Sequence, residues 1–295
     1  MTDPVVLTVA TDRNQYVDEF CQSLENNGYE YKLLGLGEEW RGFTMKMELF
    51  RNILPKLKNI IVIVSDSYDV LYLQTPEVIM EKYWELANGK IVIGLENIRT
   101  SFCNFSVICD PKIVDKCKIK NSKFPGFIYP NAGFIMGPAS SILEIYNFQM
   151  EKGFKDDQYS LFKFIMDENN CSKCYFDTGL DFVFNYFPKS LQSNANEDVI
   201  LKDGTLTVYN KKTKYRTQPS VVHIPGHYLD FGYRSETIRN FIFPHRKQKR
   251  KTEYMTEFYM KTCKPEFAYI GYWGWFVLFL FILIIVLIVV ACVNK

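Results

Sequence analysis

The sequence predicts an α/β fold, an open sheet with helices packed on both faces, and three observations predict it. Short apolar runs rich in β-branched residues alternate with segments of helical periodicity from residue 5 to about residue 100. The run at residues 60–64 is continuously apolar, as a central strand covered on both faces requires. Hydrophobic residues make up 47% and aromatics 16% of the 295 residues, which supplies a sizeable core and argues against disorder.

Residues 5–10, Val5-Val6-Leu7-Thr8-Val9-Ala10, read as the first buried strand. Residues 15–26 carry Val17, Phe20, Cys21 and Leu24 at helical spacing, and Asn27-Gly28 ends that helix. Residues 29–34 form a second strand and Gly35-Leu36-Gly37 a turn. Residues 43–57 are helical, with Met47, Phe50 and Leu54 on one face. The strand at 60–64 follows, and then a helix opened by Thr75-Pro76, with proline in its favoured early position. Residues 91–94 are a further strand, and the order β-α-β-α-β-α-β implies right-handed crossovers. Beyond residue 100 the pattern loosens: strand and loop at 126–137, helices at 140–150 and 157–167, and Val208, Val221 and Val222 in late strands. Residues 1–245 are expected to form one domain and 246–268 a basic, polar stalk.

The net charge of +2, from 35 basic and 33 acidic residues, is no footprint for nucleic acid. The one basic cluster, residues 245–251, suits phospholipid headgroups better. Residues 276–293 are all apolar, and Tyr269, Tyr272, Trp273 and Trp275 precede them as an interfacial belt. Residues 269–293 therefore exceed the roughly 20 apolar residues that span a bilayer. A single-pass membrane protein anchored near its C-terminus is expected, with the larger domain on the cytosolic side by the positive-inside rule. Residues 1–7 lack the basic and apolar regions of a signal peptide. Among eight cysteines, Cys171 and Cys174 have metal or redox spacing, but no second pair completes a zinc site. Cys103, Cys109 and Cys117 can pair among themselves or with Cys171 or Cys174, which requires an oxidising compartment.

Ligands of open α/β sheets bind beyond the carboxyl ends of the strands. The strongest strand runs straight into Ser65-Asp66-Ser67-Tyr68-Asp69, where two carboxylates three residues apart can converge on a hard cation such as Mg²⁺ or Mn²⁺. The competing reading is a helix N-cap beside a solvated acid. Asp156-Asp157-Gln158 opens a helix, where acids either match the helix dipole or meet a substrate hydroxyl. His223 leaves a strand end before Pro225-Gly226, as a third metal ligand or as a structural histidine. There is no GxGxxG loop and no Walker A motif, so a nucleotide here would lean on metal.

Together these segments resemble a known family. The matching segments are Val5-Val6-Leu7-Thr8-Val9-Ala10-Thr11, Leu34-Gly35-Leu36-Gly37-Glu38-Glu39-Trp40, Val64-Ser65-Asp66-Ser67-Tyr68-Asp69-Val70, Asn131-Ala132-Gly133-Phe134-Ile135-Met136-Gly137, Asp156-Asp157-Gln158 and Val221-Val222-His223-Ile224-Pro225-Gly226. In this order they are similar to the glycosyltransferase domain of the procollagen lysyl hydroxylases, and more distantly to the procollagen galactosyltransferases. The resemblance covers about residues 5 to 230. It implies a GT-A-like, Rossmann-type open sheet, Mn²⁺ (or Mg²⁺), and a UDP-sugar donor, UDP-glucose or UDP-galactose. It further implies that Asp66, Asp69 and His223 hold the metal and that Trp40 and Tyr68 contact the nucleotide. Thr8, Ala10 and Thr11 would line the uracil pocket, Lys46 would border the donor, and Asp156 and Asp157 would lie at the sugar and acceptor.

This chain departs from the family in the loop after Trp40, which is shorter and keeps only Lys46 of a Gln-Lys pair. The apolar segment follows where the family continues into a hydroxylase domain, so the resemblance does not extend to a hydroxylysine acceptor. Three functions follow as expectations: an active hexosyltransferase, a catalytically weakened nucleotide-sugar- or protein-binding module on a membrane, and a membrane scaffold.

Overall fold

Five apolar or β-branched residues make Val5–Val9 the first strand, β1, with alternate side chains on opposite faces. The computed structural model describes residues 2–57, 59–97, 112–117, 119, 121–186, 196–225 and 232–245. Helix α1 (Gln15–Asn27) starts where the Asn14 side chain accepts from the amides of Tyr16 and Val17, and ends at Gly28 in the left-handed region, φ 82°. Strand β2 (Glu30–Leu34) and α2 (Phe43–Ile53) follow. The predicted helix to residue 57 tightens into a 3₁₀ turn at Leu54–Leu57, because Pro55 has no amide hydrogen to give. Next come β3 (Ile61–Ser65), β4 (Val70–Tyr72), α3 (Pro76–Lys82) and β5 (Ile91–Glu96). The later elements are α4 (Lys112–Lys116), β6 (Tyr129–Pro138), α5 (Ala139–Glu151), α6 (Asp157–Ile165), α7 (Glu168–Cys171), β7 (Cys174–Phe176) and β8 (Val183–Asn185). Strands β9 (Glu197–Lys202), β10 (Thr205–Asn210), β11 (Arg216–Thr217) and β12 (Val221–His223) precede α8 (Gly232–Ile242).

The main sheet has the order β2-β1-β3-β6-β5-β7. Its strands are parallel except β6, which runs antiparallel to both β3 and β5. The central strand expected at 60–64 is therefore parallel on one side only. The amide of Ile128 donates to the carbonyl of Glu96 at 3.1 Å, so the chain comes back into the sheet at the end where β5 left it and must run the other way. Helices cover both faces, as expected. Val5, Leu7, Val62, Val64 and Ile93 pack with Met47 and Phe50 of α2, Ile142 of α5 and Leu161 of α6. On the other face Val6, Ile63, Val92 and Met136 pack with Val17, Phe20 and Leu24 of α1 and with Ile79 of α3.

A small second sheet, β4-β12-β8, stands at the carboxyl end of β3, and β9-β10-β11 form an antiparallel meander. Among the described residues no helix is long and apolar enough to cross a membrane. The expected stalk at 246–268 and span at 269–293 lie outside the described residues.

Candidate metal centre

Strand β3 ends at Ser65, and the next four residues turn the chain into β4. Hydrogen bonds donated by three of its residues help to hold that turn. The Asp66 amide donates to the Gly133 carbonyl of β6 at 3.0 Å. The Ser67 hydroxyl donates to the Val9 carbonyl at 2.9 Å, and the Tyr68 hydroxyl to Asp12 Oδ1 at 2.7 Å. The small sheet then brings in a residue from far along the chain, because β12 pairs with β4 in the register His223↔Val70. The Ile224 amide donates to the Asp69 carbonyl at 2.7 Å.

His223 Nε2 consequently lies 3.5 Å from Asp69 Oδ1 and 3.8 Å from Asp66 Oδ2. One ligand atom from each of Asp66, Asp69 and His223 falls within 4.8 Å of the other two. Three ligand atoms this close together could share one divalent cation after small side-chain rotations. Two carboxylates and one imidazole are a donor set for Mg²⁺ or Mn²⁺. Burial and the neighbouring Asp69 carboxylate push the Asp66 carboxyl up, against the pull of Lys46. Burial alone would lower His223, but Asp69 and Asp66 overcome it and hold the imidazole above its ordinary value. The His223 shift records the negative charge of Asp69 and Asp66 beside it, the condition that favours a bound cation.

The remaining predicted residues divide by position. Lys46, in the first turns of α2, is buried and donates to Asp157 Oδ2 at 2.7 Å while also contacting Asp66. Burial opposes its charge, yet Asp157 and Asp66 hold the ammonium well above its usual range. Asp157 thus faces the centre. Asp156 is the N-cap of α6, its Oδ1 accepting from the Tyr159 amide at 2.7 Å. Trp40 is 45% exposed and packs edge-to-face on Phe43. Thr8 and Ala10 are buried in and just beyond β1, and the Thr8 hydroxyl is spent on the Ser65 carbonyl at 2.8 Å. Thr11 is half-buried, and its carbonyl accepts from Gly37.

Sequence reasoning missed Glu96 at the carboxyl end of β5. Its two oxygens accept from Asn131 Nδ2 and Gln158 Nε2, each at 2.7 Å. Burial pushes this carboxyl up to about 7. The same rule that selected Asp66, an acid where an apolar strand ends, would have selected it. Gly133 was quoted only as part of a motif. A Cβ there would overlap the His223 ring, so the glycine is what lets the imidazole lie against β6.

Residues 1–242 match the family described as "PLOD GT domain". The chain is 25% identical over 233 residues to procollagen-lysine,2-oxoglutarate 5-dioxygenase 2 of Homo sapiens, covering 75% of this chain and 29% of that protein. It is 26% identical over 239 residues to the multifunctional procollagen lysine hydroxylase and glycosyltransferase of Caenorhabditis elegans, covering 75% of this chain and 30% of the other. The chain thus spans about three-tenths of the length of these relatives. Among solved structures, apo mouse xyloside xylosyltransferase 1 superposes with a TM-score of 0.43 at 8% identity, over 77% of this chain and 99% of that one.

Proposed function

The chain belongs to the PLOD GT domain family, and from that premise we propose that it is a metal-dependent glycosyltransferase moving glucose or galactose from a UDP-sugar to an acceptor hydroxyl. The observation that carries the reading is the meeting of Asp66, Asp69 and His223 from two sheets at the end of β3.

Asp66, Asp69 and His223 would hold Mn²⁺ or Mg²⁺, which when bound supplies Lewis-acid neutralisation of the departing diphosphate. Lys46 fixes Asp157 beside that centre, and Asp157 is the carboxylate in position to meet the acceptor hydroxyl or steady the sugar. Trp40 and Tyr68 would contact the nucleotide, and Thr8, Ala10 and Thr11 would line its uracil pocket. Asp156 acts through α6, by setting where that helix begins. The test is to incubate the full chain with Mn²⁺ and a panel of UDP-sugars and to measure UDP release. Release from one sugar, lost in Asp69→Ala, is the expected result.

A second reading, a nucleotide-sugar-binding module without turnover, draws on the short loop between Trp40 and Lys46. It predicts metal-dependent UDP binding with no release from any donor. Absence of metal-dependent UDP binding would leave only a scaffold. Attachment to a membrane through residues 269–293 belongs to the same proposal and rests on the apolar run.

A further inference from the structure

We propose that Asn185 is a positioning residue for the metal centre, fixing His223 in the tautomer whose Nε2 lone pair faces Asp66 and Asp69. The inference rests on the metal-centre reading above and adds a residue that the sequence did not single out.

Strands β8 and β12 run parallel with His223 and Asn185 in register, and both side chains are buried. Asn185 Nδ2 donates to the main-chain carbonyl of Leu95 in β5 at 2.9 Å. A carbonyl only accepts, so the amide nitrogen must face Leu95; the flipped amide would set oxygen against oxygen in a buried site. The other end of the amide, Oδ1, is therefore the atom 2.7 Å from His223 Nδ1. That oxygen carries no proton, so Nδ1 must. A neutral imidazole protonated at Nδ1 bears its lone pair on Nε2, the atom that lies 3.5 Å from Asp69 Oδ1 and 3.8 Å from Asp66 Oδ2.

The same bond fixes the ring's orientation. Turning the imidazole over would place a C–H against Asn185 Oδ1 and swing Nε2 away from the carboxylates. The amide also ties the sheets together. Asp66 leaves β3 of the main sheet, His223 belongs to β12 of the small one, and Asn185 bonds β5 of the first with β12 of the second. Partners of this kind behind a metal-binding histidine typically change affinity by about 10- to 100-fold.

The test uses the full chain. In ¹⁵N-histidine-labelled protein without metal, at alkaline pH, the ring signal that disappears in His223→Ala should report the Nδ1–H tautomer; an Nε2–H tautomer overturns the proposal. In Mn²⁺ titrations followed by EPR of the free ion, Asn185→Leu should weaken binding about 10- to 100-fold. Asn185→Asp, protonated on the oxygen that meets the Leu95 carbonyl, keeps the acceptor toward His223 and should retain the affinity. Equal affinity in Asn185→Leu and wild type, with His223→Ala weakened, removes the role of Asn185 and leaves the metal centre standing. Unchanged affinity in His223→Ala removes the centre itself, and the proposal with it. If Asn185→Leu does not fold, the wild-type tautomer and the Asn185→Asp titration decide between the same outcomes.

Discussion

Lys46 places one ammonium between two carboxylates, Asp66, which we propose as a metal ligand, and Asp157, which we propose for the acceptor side. Removing it leaves a buried carboxylate without its counter-charge. Lys46→Met should lower unfolding stability by about 3 kcal/mol, a low value in the range for broken buried pairs because Asp66 is one-third exposed. Millimolar Mn²⁺ should return part of that loss, since a cation at Asp66 stabilises the folded state alone; urea melts with and without the metal measure both. Glu96 gives a pH dependence. Its carboxyl titrates at about 7 in the fold against an ordinary 4.5, so between those values the folded state keeps a proton that the unfolded chain has lost. This group therefore makes stability fall as pH rises from about 4.5 to about 7. Glu96→Gln should flatten that slope, read from urea midpoints at about pH 5 and about pH 7.5. Asp66 and Asp69 were legible in the sequence because an apolar strand delivers them directly. Asn185 was not: its partners Leu95 and His223 are 90 and 38 residues away, and no local pattern encodes them.

Elements carry the next level of the argument. Helix α1 was legible to within a residue or two because Val17, Phe20 and Leu24 mark its buried face and Asn14 and Gly28 its ends. Asn14→Ala should cost about 1 kcal/mol through the lost cap, seen as a lower urea midpoint with the slope unchanged. The direction of β6 was not legible, because polarity depends on where the preceding connection re-enters the sheet and side-chain pattern is the same either way. Helix α8 binds α1 through a buried pair: Arg239 contacts Glu19, donates to the Tyr68 carbonyl at 2.9 Å and stacks over Tyr16. Arg239→Met should cost about 3–5 kcal/mol by stranding Glu19, while Glu19→Gln with Arg239→Met should recover much of it. If the double variant is no more stable than the single one, the pair is not what joins the two helices.

For the whole molecule, we propose attachment to a membrane, and two features bear on which side the domain would take. The basic cluster at 245–251 argues for a cytosolic domain. Cys117 and Cys171, 54 residues apart, stand with Cα atoms 5.7 Å from each other, close enough to pair as a disulfide in an oxidising compartment. We expect the full chain to sediment with membranes and resist carbonate extraction. Protease added to sealed vesicles then settles the side: digestion of the domain places it in the cytosol, and protection places it with the disulfide.

The Glu19–Arg239 contact also sets a schedule for synthesis. The two residues are 220 positions apart, so at the usual pace of translation the first helix waits on the order of ten to forty seconds for the residue that neutralises it. During that interval Glu19 lacks its cationic partner, so burying α1 against its face of the sheet is less favourable until α8 has been made.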